Sequence, residues 1–329
     1  MPLKKNSFPS ASVIIPAYNA EKTIRVCLDA LLSQTIPPNE IILVDDGSTD
    51  QTQEIAKIYS LLKIISQENK GPAKARNAGA REAKSDIILF LDSDCVPSAN
   101  WLEEMLKPFE KEKVAGVQGA YKTHQTSLVA KFDQVDIEYR YEKMSRSTKL
   151  DWIGSYSAGY RKKIFLDEKG FDETFPKASG EDAELSYRMS EKGYLLVFAP
   201  TAIVYHTHPE TLAKYLNIKY YRAYWRMRMY LKHPGKAVAD SYTPIMLKFN
   251  VAFALAILLF AILSIFIQDF STLVRVCAVA YLFTFLLSIP HIWRNGIVFV
   301  GIAFGLYFLR SIAFAAGSVR GFLDERVWV

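Results

Sequence analysis

Cysteine is scarce. Cys27, Cys95 and Cys277 are all there are in 329 residues, and they form no pair motif. That leaves no paired-cysteine framework and fits a reducing compartment. Glycine-rich phosphate cradles are missing too. No G-x-G-x-x-G follows a strand-like run and no G-x-x-x-x-G-K-[ST] occurs, which disfavours a standard dinucleotide site and a P-loop. Internal repeats and low-complexity tracts are absent, and half of the residues are hydrophobic, which excludes a disordered or fibrous chain. Met1 to Ser10 is polar and basic, with no apolar segment or small-residue cleavage site, so no secretory leader is expected. Acidic residues thin out late in the chain. From Thr211 onward thirteen Lys and Arg face four Asp and Glu, a net +9, so residues 1–210 carry about −3 of the overall +6.

Long apolar runs are present in that basic part. Phe249 to Ile267 is nineteen residues without a charge, close to the roughly 20 needed to cross a bilayer. Further runs cover about 273–293, with Arg275 near enough to one end to snorkel, and 296–317, which contains Arg310. The very short Arg294-Asn295 connection leaves two or three spans open. Arg222, Arg226, Arg228, Lys232, Lys236 and Lys248 precede the first span, and Gln268 to Thr272 carries no Lys or Arg. The positive-inside rule then puts residues 1–248 in the cytoplasm and the protein in the cell membrane as a multi-pass chain. Three regions follow: 1–210, 211–245 and 246–329. In the middle one, basic and aromatic residues alternate from Lys214 to Tyr230. Such a pattern can bind single-stranded nucleic acid, but directly before a span it reads as an interfacial helix on anionic lipid, and no nucleic acid is expected.

The first 210 residues alternate apolar strands and amphipathic helices: Ser12–Ile15, Ile41–Val44, Lys63–Ser66 and Ile87–Leu91, with helices between. Wholly apolar strands in this order predict an α/β fold, a parallel sheet covered on both faces. Ligands bind beyond the carboxyl ends of such strands. Those ends carry Pro16-Ala-Tyr-Asn19, Asp45-Asp46-Gly-Ser48 and Asp92-Ser-Asp94. Carboxylates meet phosphates through a divalent cation or bind ribose hydroxyls and base N–H groups. Asp92-Ser-Asp94 is by itself a solvated turn; placed after a buried strand it suits Mg2+ or Mn2+. Asp45-Asp46-Gly-Ser48 reads as a helix-capping turn or a nucleotide contact. Glu181-Asp182 opens a helix, either as favourable first-turn charge or as a general base opposite a metal-bound leaving group. His206 and His208 end the last strand-like run, and alternate residues share a face, so both could serve one site or be structural.

Five ordered blocks carry a resemblance: Val13-Ile-Ile-Pro-Ala-Tyr-Asn19, Val44-Asp-Asp-Gly-Ser-Thr-Asp50, Ala75-Arg-Asn-Ala-Gly79, Phe90-Leu-Asp-Ser-Asp94 and Gly180-Glu-Asp182. The chain resembles family 2 glycosyltransferases, inverting enzymes with a GT-A fold, over roughly residues 11–208. The resemblance implies a doubly wound, mostly parallel sheet, here followed by an interfacial helix and two or three transmembrane helices. It implies donor-nucleotide contacts at Pro16, Ala17, Tyr18, Asn19 and Glu21, a base contact at Asp46, and Arg76 or Lys74 near the nucleotide or diphosphate. It further implies ribose contact at Asp92 beside Ser93, metal ligation at Asp94, and Asp182 as the base; from their places at the strand ends, Asp92 and His206 are expected as further metal contacts. Glu181, Trp152 and His208 are expected as acceptor-side or supporting residues. Processive members carry Q-x-x-R-W; Tyr221-Arg-Ala-Tyr-Trp-Arg226 has no glutamine, which favours one sugar per encounter. The expected activity is transfer from a nucleotide-diphosphate sugar to a hydroxyl of a lipid-linked glycan or glycolipid, in cell-envelope or exopolysaccharide synthesis. The alternatives are a polyprenyl-phosphate glycosyltransferase, which needs no base, and a non-catalytic membrane-anchored nucleotide-sugar binding protein.

Overall fold

A computed structural model describes residues 8–175, 180–238 and 240–324; of the polar stretch Met1–Ser10, only Phe8–Ser10 falls within them. The chain divides into two compact units. One comprises residues up to His124 together with Met144–Thr207, the other Gln125–Lys143 together with residues from His208 on.

The first unit begins with β1 (Ala11–Ala17), α1 (Ile24–Leu32), β2 (Glu40–Asp45), α2 (Thr52–Lys57), β3 (Leu62–Ser66), α3 (Pro72–Glu82) and β4 (Ile87–Leu91). These are the four strands the apolar runs predict. Their side chains, such as Val13, Ile14, Ile42, Leu43 and Ile87–Leu91, are buried, as a sheet covered on both faces requires. The four strands lie in the order β3-β2-β1-β4 and pair in parallel. Beyond β4 the unit adds β5 (Cys95–Pro97), α4 (Trp101–Leu106) and β6 (Val114–Lys122). The chain then passes through α5 (Leu128–Ser145), nearly all of which lies in the second unit, and returns with β7 (Ser157–Arg161), α6 (Lys162–Asp167), α7 (Glu181–Glu191) and β8 (Leu195–His206).

This second half of the sheet is mixed, which the strand pattern did not indicate. β7 inserts antiparallel between β4 and β6, β8 runs parallel to β6, and β5 lies antiparallel on β8 at the far edge. β7 reads Ser-Ala-Gly-Tyr-Arg and β5 is three residues long. Neither has an apolar run of its own, and their pairing is set by tertiary neighbours rather than local preference.

The second unit contains α8 (Leu212–Lys232), α9 (Pro234–Val238), α10 (Ile245–Ser264), α11 (Phe270–Leu286), α12 (Ile289–Ile292) and α13 (Ile297–Leu323). Among the described residues, α10 and α13 are each long and apolar enough to cross a membrane. α11 with 289–295 passes the same test only as a pair bent by 47°. The bend follows Leu287-Ser288, with Pro290 just beyond it. The core of this unit joins Phe132, Tyr215, Leu247, Phe285 and Tyr307. Gly317 and Gly321 let α13 close on α8, since a Cβ at either would collide with the backbone carbonyl of Tyr220 or Tyr224.

Residues 125–143 lie inside the stretch 1–210, yet they pack with the C-terminal helices through charge. Arg310 on α13 donates to Asp136 on α5 at 2.5 Å, and Arg140 donates to its other oxygen at 3.0 Å. Lys219 on α8 donates to Asp133 at 2.6 Å, and burial outweighs that partner to push the Lys219 amine down to about 8. Arg310, an apparent misfit in an apolar run, therefore has a specific anionic partner, as charges in apolar helices generally do.

Removing the carboxylate of Asp136 strands two buried guanidinium groups. Asp136→Ala is expected to cost about 3–5 kcal/mol, measured by thermal or denaturant unfolding in detergent; a loss below about 1 kcal/mol would contradict a structural role for the pair.

Candidate functional site

Two strand-end turns are braced against each other. Pro16 and Ala17 close β1, and Tyr18, 51% exposed, follows. Asn19 takes a left-handed φ of 50°, which asparagine tolerates better than most residues. Its N–H donates to Ser48 Oγ at 3.0 Å, and its side-chain oxygen accepts from the Thr49 N–H at 2.8 Å. The Glu21 N–H donates to Asp50, and the Glu21 carboxylate accepts from the Gln51 N–H at 3.2 Å. The expected nucleotide-contacting residues thus belong to one rigid rim.

Asp46 is buried rather than open to a ligand. Its carboxylate accepts from Gln67 Nε2 at 2.6 Å and from the N–H groups of Lys70 and Gly71, each at 2.9 Å. Gly47 follows at φ +75°, where a Cβ would come within 2.8 Å of the Asn69 nitrogen. The Asp45-Asp46-Gly47 turn therefore shapes the 67–71 loop beside β2, and any base contact there is made by a carboxylate already holding three donors.

The D-x-D turn links β4 to β5. Asp92 leans inward: Arg76 on α3 donates to its Oδ1 at 2.7 Å. The other terminal nitrogen of Arg76 donates to Glu181 at the start of α7, at 2.9 Å. Arg76 is 3% exposed and its guanidinium lies 5.9 Å from the centre of the Phe171 ring. Expected at the nucleotide or diphosphate, Arg76 is instead enclosed and committed to protein carboxylates, so its part is to join the D-x-D turn to α7. Burial and Asp94 push the Asp92 carboxyl up, against the pull of Arg76.

Asp182 is the second residue of α7. The Ala183 N–H donates to its Oδ1 at 2.7 Å and the Ser155 N–H to its Oδ2 at 3.2 Å. Burial, with the charge of Glu181 beside it, pushes the Asp182 carboxyl up to about 7. A carboxylate in that range is matched to proton transfer near neutral pH. Trp152 is largely buried. It precedes Ile153–Ser155, whose N–H groups are taken up by Ser186, Gln118 and Asp182.

Asp94 points the other way, with half of its side chain exposed, and His206 Nε2 lies 3.5 Å from its Oδ2. The antiparallel register Cys95↔His206 brings them together. β8 ends at His206, and His208 is buried in the second unit with its Nε2 2.8 Å from Gln134 Oε1 and its Nδ1 3.9 Å from Asp133. The rule that alternate strand residues share a face fails here because the strand has already ended. Among the described residues no group of three or more His, Cys, Asp or Glu is arranged as a complete metal cage. One half-exposed carboxylate with an imidazole beside it still suits a divalent cation that keeps open positions for substrate phosphates. Tyr121, stacked on Tyr156 with ring centres 3.5 Å apart, borders His206; no motif in the sequence marks either tyrosine.

A mixed α/β sheet with a D-x-D turn at a strand end and an acidic pair opening a nearby helix defines a GT-A architecture. The mannosyltransferase PcManGT of Pyrobaculum calidifontis, solved with GDP-Man and Mn2+, shares the fold with a TM-score of 0.63 and 17% identity over 97% of this chain and 89% of its own. The family model "Glycosyl transferase family 2" matches residues 12–167. Glycosyltransferase AglE of Haloferax volcanii is 32% identical over 61% of this chain and 68% of AglE. The pre-mycofactocin glycosyltransferase of Mycobacterium tuberculosis is 28% identical over 70% of this chain, which spans about half, 49%, of that relative's length. The chain belongs to glycosyl transferase family 2.

Arg76→Ala leaves Asp92 and Glu181 without their shared partner and is expected to cost about 3–5 kcal/mol, read as a fall in thermal midpoint. Arg76→Lys, with one point charge in place of a two-pronged guanidinium, should recover less than half of that loss; full recovery would show that the two-carboxylate bridge is not needed.

Proposed function

We propose that the protein is a membrane-anchored, inverting glycosyltransferase that moves one sugar from a nucleotide-diphosphate sugar to a hydroxyl of a lipid-linked glycan or glycolipid. The observation that carries this reading is the Arg76 bridge. It ties the D-x-D turn, where a donor diphosphate would lie, to the helix whose second residue is a carboxylate with a pKa of about 7.

The nucleotide lies along the rim formed by residues 16–21 and 46–50, with Asp92 and Ser93 toward the ribose. Asp94 and His206, with Asp92, would hold Mg2+ or Mn2+, whose charge stabilises the departing diphosphate when bound. Asp182 takes the proton from the acceptor hydroxyl as that oxygen attacks the anomeric carbon from the face opposite the leaving group. The bond from the anomeric carbon to the diphosphate oxygen breaks, and the nucleotide diphosphate departs with the electron pair. A phosphate acceptor, already ionised, would gain nothing from such a base, so Asp182 favours a hydroxyl.

The apolar helices α10 and α13 and the basic, aromatic α8 support residence at a membrane. Lys and Arg ahead of α10 favour a cytoplasmic catalytic unit. Holding the enzyme on the surface that confines its acceptor raises the effective concentration of each for the other.

Asp182→Asn should lower turnover by about 10²–10⁴-fold while donor binding, followed by calorimetry, stays within a few fold; unimpaired transfer would refute the assignment. The base acts only when deprotonated, so the rate should fall below an apparent pKa of about 7. Glu181→Gln removes a negative neighbour that raises this pKa, so the acid limb of the pH–rate profile should move to lower pH. A limb that stays put, or moves up, would contradict the coupling.

A further inference from the structure

Three aromatic rings stand in a column beside the D-x-D turn. Tyr121 is the penultimate residue of β6, and in the parallel register of β6 with β8 it pairs with Val204. His206 lies two residues beyond Val204, so it projects from the same face and is the diagonal neighbour of Tyr121. The rings are in contact: Tyr121 and His206 have centres 4.7 Å apart, inclined at 30°. Tyr156, from the segment before β7, stacks on Tyr121 at 3.5 Å and 16°. The column is tied to the turn at both ends. The Asp92 N–H donates to the Tyr156 carbonyl at 3.4 Å, and Cys95 pairs in register with His206. On the opposite face of β8, Tyr205 stacks with His124, which lies just past the end of β6, with ring centres 4.1 Å apart.

A ring column of this kind would be ordinary core packing if it ended in an apolar side chain. It ends instead in an imidazole whose Nε2 is 3.5 Å from a half-exposed carboxylate, Asp94. Such a side chain at a strand end would turn about its Cα–Cβ and Cβ–Cγ bonds unless something fixed its plane. The flat face of Tyr121 does so.

We propose that Tyr121 is a positioning residue: its ring holds the His206 imidazole so that Nε2 and the Asp94 carboxylate stand ready as a two-ligand site for a divalent cation. This rests on the reading of Asp94 and His206 as metal ligands. Groups that orient a ligating histidine typically change metal affinity 10–100-fold when removed. The effect expected here comes from the ring and not from the hydroxyl.

The test is direct binding of Mn2+ to the full-length protein in detergent, followed by the EPR signal of free Mn2+, with no donor or acceptor present. Tyr121→Leu should weaken Mn2+ binding about 10-fold or more. Tyr121→Phe, which keeps the ring and loses the hydroxyl, should stay within about twofold, and His206→Ala should weaken binding at least as much as Tyr121→Leu. If Tyr121→Leu fails to fold, Tyr156→Leu should weaken binding in the same direction. Weakening by His206→Ala with wild-type affinity in Tyr121→Leu, or in its substitute Tyr156→Leu, would overturn the positioning role and leave the metal reading intact. Equal weakening in Tyr121→Phe and Tyr121→Leu would overturn the ring as the cause. Wild-type affinity in His206→Ala, or no Mn2+ binding by the wild type, would overturn the metal reading and the positioning role with it.

Discussion

One buried guanidinium sets the geometry of the catalytic unit. Arg76 donates to Asp92, 16 residues away, and to Glu181, 105 residues away. Without it, the end of β4 and the start of α7 would each present a carboxylate to the other in a region of low polarity. Like charges there repel strongly, and each carboxylate would lose water without gaining a partner. With it, the two acidic elements stand a guanidinium's width apart. Asp94, two residues beyond Asp92, and Asp182, next to Glu181, are then left for the proposed chemistry. The carboxylates of Asp92, Asp94, Glu181 and Asp182 outnumber the cation between them, and that surplus of negative charge is what a divalent ion would offset.

The C-terminal unit uses the same device for another end. Asp136 between Arg140 and Arg310, and Asp133 with Lys219, tie α5, α13 and α8 together through charge in an otherwise apolar setting. A buried pair is a poor source of net stability, since desolvation offsets most of its attraction, but it penalises every arrangement that separates its members. It therefore suits the task of fixing which helices pack together when apolar contacts alone would allow several pairings. Gly317 and Gly321 act alongside it, permitting a close approach at one stretch of α13.

Local chemistry was legible in the sequence and long-range pairing was not. The strands β1 to β4 follow from apolar runs closed by turn residues, and the turn at Asp45-Asp46-Gly47 and the acidic start of α7 follow from residue types at short spacing. β5 and β7 have no such signature, so the mixed half of the sheet stayed hidden. With it went the register that brings His206 to Asp94 and the Tyr121 column. The resemblance implies Arg76 as a cation near phosphate; that its partners are protein carboxylates depends on a contact across 105 residues, which spacing cannot reveal. A period of two would carry His208 onto the face of His206, but β8 ends at His206 and His208 packs against Gln134 and Asp133. Arg310 looked like an interruption of an apolar helix, and only the position of Asp136 explains it.

In the proposed reaction Asp182 takes the proton of the acceptor hydroxyl on the face of the donor opposite the leaving group, with no enzyme nucleophile between. The configuration of the product tests this most directly. NMR of the newly formed glycosidic linkage reports it through the one-bond carbon–proton coupling at the anomeric centre. A configuration opposite to that of the donor is expected. Retained configuration would contradict it, because two displacements or a front-face attack would then be required, and neither uses a single base held where the Arg76 bridge holds Asp182.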